Sequence, residues 1–102
     1  ELDNHILVHA GLNFNIDNPF EDIASMLGTR VFKVEWDKIK NKQVIHGHTS
    51  TKIFRIICDI ESDTCDSFSL DNGVHMKNRD SYGNLLAYNL DTKELIMQPN
   101  ID

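Results

Sequence analysis

The stretch KQVIHGHTST, Lys42 to Thr51, runs a short apolar pair into two imidazoles that flank a glycine. Val44 and Ile45 are β-branched, so QVIHG, Gln43 to Gly47, predicts a short strand that stops at the glycine. A glycine there lets backbone and ligand come close, and histidine is the commonest metal-ligating side chain. A second segment, HILVHAGL from His5 to Leu12, has the same form: Ile6, Leu7 and Val8 in a row, then His9, with Gly11 two residues later. A continuous apolar run of that kind predicts a strand buried on both faces, and Gly11 permits a sharp turn after it.

Between the two strands, IDNPFEDIASMLG, Ile16 to Gly28, predicts a helix. Asn18 suits its N-cap, Pro19 its first position, and Glu21 and Asp22 the first turn, where the helix dipole favours acids. Phe20, Ile23, Ala24 and Leu27 share one face at helical spacing, and Gly28 is placed to end it. From Thr29 to Lys42 the pattern is mixed, with Val31, Val34, Trp36 and Ile39 suited to a short helix. Strand, helix, strand makes one unit, with a histidine cluster beyond the end of each strand, where open α/β sheets place their ligands.

Beyond Thr51 the character changes. SFSL (67–70) precedes the turn DNG (71–73), and NLLAYNL (84–90), the turn DTKE (91–94) and LIMQP (95–99) read as strands joined by tight connections. Asn72 and Gly73 are expected to take the positive φ angles of their turn, which leaves Asp71 no catalytic role. The expected fold class is α/β, or α+β in a broader sense: an α/β front half feeding an antiparallel back half, within a single domain over residues 1–102.

Composition narrows the function. A chain of 102 residues with 40% hydrophobic content suits one small domain. No apolar run approaches the roughly 18 residues of a bilayer span and no charged-then-apolar leader opens the chain, so a soluble, cytoplasmic protein with no membrane partner is expected. Sixteen acids against ten bases, a net charge of -6, with the bases scattered, argue against nucleic acid as a partner. Cys58 and Cys65 match no common zinc or redox spacing and are expected to be free thiols.

Two imidazoles alone make a poor hydrolytic centre, which usually needs three or more protein ligands. LVHAGL (7–12) and HGHT (46–49) resemble two signature motifs of the calcineurin-like metallophosphoesterases, in the branch of the serine/threonine protein phosphatases and diadenosine tetraphosphatases. The tail, LDNGV (70–74) and YGNLLAYNLDTKELIMQPNID (82–102), is similar to the ending of bacterial members. The resemblance implies the C-terminal half of a four-layer αββα sandwich, with a mixed sheet ending in antiparallel strands.

Carried over by position, it implies that His9 and His48 coordinate the second of two divalent ions (manganese, iron, zinc or nickel). The paired ions of such enzymes clamp a phosphate and activate a bridging water. It also implies that Arg30, in MLGTR, contacts the substrate phosphate, as a planar guanidinium can do with two hydrogen bonds. The family usually has a tryptophan shortly before that arginine, where this chain has Gly28. After GHT the family often has proline, and more distant members place a second histidine ligand there; this chain has Ser50, which cannot ligate in its stead. His46 is not taken as a ligand.

The family's opening motifs, Asp-x-His after a strand, Gly-Asp-x-x-Asp-Arg-Gly and Gly-Asn-His-Glu, are missing in their proper setting. DNH, Asp3 to His5, precedes a strand instead of following one. The chain thus resembles the C-terminal half only, with no catalytic residue of its own, and is expected to be inactive alone. Expected partners are the missing N-terminal half of the same protein and a phosphorylated substrate, either a phosphoprotein or a dinucleoside polyphosphate. Self-association through the apolar surface left open is a further expectation. A fragment of an active metallophosphatase, favoured by the missing initiator Met, stands beside two alternatives: a naturally short non-catalytic binding module, and an unrelated metal-binding or interaction domain.

Overall fold

The computed structural model describes all residues, Glu1–Asp102. Five strands and two α-helices follow in chain order: β1 (His5–Leu7), α1 (Ile23–Gly28), β2 (Gln43–His46), α2 (Ile53–Glu61), β3 (Ser67–Ser69), β4 (Asn84–Tyr88) and β5 (Leu95–Pro99). Short 3-10 turns at Pro19–Glu21 and Trp36–Ile39 fill the long β1–β2 connection. β1, β2 and β3 form a parallel sheet in that order, while β4 and β5 form an antiparallel hairpin. An isolated antiparallel bridge between Asn72 and Asn84 ties the chain after β3 to the start of β4. The chain is therefore a small α+β domain with mixed strand directions.

The parallel register sets the two faces of the sheet. Ile6 lies beside Val44, and Leu7 beside Ile45, which in turn lies beside Phe68. Side chains alternate along a strand, so Ile6 and Val44 share one face, and Leu7, Ile45 and Phe68 the other. The first face is covered: Ile6 and Val44 pack with Leu12, Phe14, Val34 and Ile39, flanked by Val8, Phe20, Met26 and Phe32. On the second face Phe68 is covered by an edge-to-face contact with Tyr88 at 5.2 Å, but Leu7 is 53% exposed. The expectation that β1 is buried on both sides is corrected accordingly. It is an edge strand with an open second face.

The predicted Asn18-capped helix is interrupted. Asn18 does cap, its side chain accepting from the Phe20 N–H at 3.1 Å, but the turn it opens ends at Glu21. Asp22, at φ -98° and ψ 84°, restarts the chain as the N-cap of α1, accepting from the Ser25 N–H at 3.1 Å and from Asn13 Nδ2 at 2.9 Å. Those donors hold its carboxyl below the usual carboxylate range, the Asn13 amide most of all. The break changes the side that meets the core, so Ile23, Ala24 and Leu27 are exposed while Met26 and Phe20 pack inward.

SFSL belongs to the parallel sheet and not to an antiparallel back half, because α2 carries the chain from β2 back to the start of β3, as parallel neighbours require. This helix is not among the elements expected from the sequence. Its Ile53, Ile56, Ile57 and Ile60 stand at helical spacing, and Ile56 is fully buried. The molecule's shortest dimension is 18 Å, enough for two layers at a spacing of roughly 10 Å. No helix is long and apolar enough to cross a membrane.

Asn72 fastens the hairpin to the sheet. Only Gly73 of the DNG turn takes a positive φ, +65°; Asn72 does not, contrary to expectation, and is 1% exposed. Its Nδ2 donates to the carbonyls of Thr51 and Ser81, both at 2.9 Å, and its Oδ1 accepts from Asn84 N at 3.1 Å and Nδ2 at 2.8 Å. All four bonds of the amide are used. In Asn72→Asp an oxygen would face two carbonyl oxygens in a buried setting, so unfolding in urea should show a loss of at least about 2 kcal/mol.

Candidate metal-binding site

The two strand-end histidines meet because β1 and β2 are parallel neighbours, so their C-terminal ends leave the sheet side by side. Two backbone bonds extend the pairing past the strands: Val8 N–H to the Ile45 carbonyl at 3.1 Å, then Gly47 N–H to the His9 carbonyl at 2.8 Å. His9 and His48 follow directly from that last bond. Their rings stand edge to face with centroids 5.0 Å apart, and His9 Nε2 lies 3.1 Å from His48 Nδ1, although the residues are 39 positions apart. Both side chains are open to solvent.

That separation has two chemical readings. With one nitrogen protonated and the other not, it is a hydrogen bond. With both unprotonated, it matches two ligands of one ion, since nitrogens at roughly 2.0–2.1 Å from a metal stand about 3 to 3.4 Å apart across octahedral to tetrahedral angles. His48 adds a backbone signal. Its φ of +73° places a residue with a Cβ in the left-handed region, as at Lys40, Asn41, Asn78, Ser81 and Lys93, a conformation that costs free energy.

The pair lines an open groove of about 630 Å³, together with Leu7, Ile45, Leu70 and Leu86 from the open face of the sheet and the hairpin. Asp71 is the sole acidic residue on that wall. Its Oδ1 is engaged by the Gly73 N–H at 2.9 Å, and its carbonyl accepts from Thr51 N–H at 2.7 Å, which holds down the loop after His48. The DNG signal was read as a turn only, and nothing in it announced that Asp71 would share a groove with the histidines. No group of three or more histidine, cysteine, aspartate or glutamate side chains gathers to hold an ion. The donor set fits part of one ion's coordination shell and does not complete it.

Arg30 is exposed after α1 and does not line the groove. It follows Thr29, whose Cγ2 lies 2.7 Å from where a Cβ on Gly11 would stand, so it rides on a segment that touches the His9 loop. His46 turns its ring edge-on to Phe32, with centroids 5.0 Å apart. Burial holds its imidazole below the usual histidine range, opposed by the Gly47 carbonyl and the charge of Asp59. Both cysteines are free. Burial raises the Cys65 thiol, which donates to the Ser67 carbonyl at 2.8 Å, so it is a weak nucleophile.

Two outcomes are expected. His48→Gly, measured by urea unfolding with a chelator present, should gain about 1 kcal/mol by relieving the left-handed turn; no gain would show that the turn carries no strain. Because the fold favours neutral His46, the unfolded chain binds that proton more readily. Its contribution is therefore complete above the ordinary histidine value of about 6.5 and is lost as pH falls through that value toward the lower folded one. The urea midpoint should drop between pH 7.5 and 5.5, and drop less in His46→Phe.

Comparisons with protein-family models, with curated proteins and with solved structures find no match to this chain. The functional reading rests on its own residues and their geometry.

Proposed function

We propose that this chain supplies two imidazole ligands, His9 and His48, to a divalent-metal site of a phosphoesterase whose remaining ligands come from a segment outside residues 1–102. The observation that carries the reading is the 3.1 Å approach of His9 Nε2 and His48 Nδ1 at two parallel strand ends. The order and setting of the two motifs, which resemble those of calcineurin-like metallophosphoesterases, supply the reaction class. A site of imidazole and carboxylate donors accepts manganese, iron, zinc or nickel. When bound, such ions polarise a phosphoryl group and activate water.

In this reading the chain's own residues bind and orient. His9 and His48 hold one ion at the groove; Arg30, which lies outside the groove, is offered as a contact for the phosphate of a phosphoprotein or dinucleoside polyphosphate by the motif resemblance alone. The open apolar surface shared by Leu7 of the sheet and Leu85 of the hairpin is where a second sheet would pack to complete a four-layer αββα sandwich. A reducing cytoplasm suits the two free thiols. A short non-catalytic binding module is the alternative, favoured by the absence of a third ligand beside the pair.

The test joins the chain to the sequence encoded upstream and measures manganese-dependent hydrolysis of an aryl phosphate. The chain alone should be silent, the joined protein active, and His9→Ala or His48→Ala should lower its turnover at least about 100-fold. An upstream frame without carboxylate ligands, or full activity in His48→Ala, would overturn the proposal.

A further inference from the structure

Two loops deliver the histidine pair, and one aromatic ring touches both. A Cβ on Gly11 would stand 2.4 Å from both Cδ1 and Cε1 of Phe32, closer than any packed atoms come, so the ring lies flush on the Gly11 backbone and only glycine admits it. On the other arm, the His46 ring meets Phe32 edge to face at 5.0 Å and 75°. Phe14 backs the ring from the core, stacked at 6.1 Å and 26°. Gly11 follows His9 by two residues and His46 precedes His48 by two.

We propose that Phe32 is a positioning residue for the histidine pair, a wedge between Gly11 and His46 that fixes the angle between the two loops so that His9 and His48 can share one ion. The inference rests on the metal-site reading above. Two backbone bonds, Val8 N–H to the Ile45 carbonyl at 3.1 Å and Gly47 N–H to the His9 carbonyl at 2.8 Å, join the segments along their main chains, but they do not hold the side-chain ends of the loops. The Phe32 ring adds a side-chain contact to each segment from the core side, opposite the groove that the pair lines. Without it each imidazole still binds a metal singly, but the chelate loosens. Loss of a hydrogen-bonded outer partner lowers metal affinity by roughly 10- to 100-fold, and loss of this packing support should fall at the low end of that range.

The experiment titrates the protein with Ni²⁺ and follows the ring signals of His9 and His48 by NMR, with urea unfolding of each variant alongside. Phe32→Leu should bind about 10-fold more weakly, with the two rings responding separately, and Phe32→Tyr, which keeps the ring, should restore joint binding. His46→Ala should weaken binding in the same direction and His46→Phe should rescue it, so the His46 pair decides the matter if Phe32→Leu does not fold. Wild-type affinity in folded Phe32→Leu or in His46→Ala overturns the wedge and leaves the metal site standing. No response of His9 and His48 in the wild-type protein overturns both.

Discussion

One backbone hydrogen bond, Gly47 N–H to the His9 carbonyl at 2.8 Å, closes the pairing of β1 and β2, and the rest of the candidate site depends on it. Parallel strands run their ends out on the same side, and this bond prolongs that pairing to the residue before His48. A shift of one residue in the β1–β2 register would turn His9 to the other face. The apolar filling between Ile6 and Val44 keeps that shift from happening: both are at or below 3% exposed in the core cluster, and slippage would bring Leu7 into their place and carry Ile6 out to the open face.

The chain divides its polar work between two kinds of device. Asn72 makes every bond its amide can make, in a buried setting, and its role is to join hairpin and sheet. His48 does the opposite: it sits in solvent, in a left-handed turn, beside a second imidazole instead of a structural partner.

Much of the architecture was legible in local chemistry. β2, β3 and the β4–β5 hairpin stand close to where apolar runs and turn residues put them, and both histidines follow strand ends. α2 was not seen, and its start explains why. Lys52 is its N-cap with no side-chain hydrogen bond, so the usual Ser, Thr, Asp or Asn signal is missing. The face of α1 was misplaced because Asp22, plausible within a helix by its position, serves as a cap and breaks it. The contact of Gly11, Phe32 and His46 could not be read at all. It joins three separate segments through tertiary packing, for which no periodicity exists.

The thinness of the molecule has a consequence for its life in a cell. The second face is covered over Phe68 but open at Leu7, which leaves a nascent chain with a water-averse edge from the moment it folds. Until something lies against that edge, holdases and proteases compete for it, as they do for folding intermediates. Supply of the covering surface in step with synthesis would then govern how much of the protein accumulates.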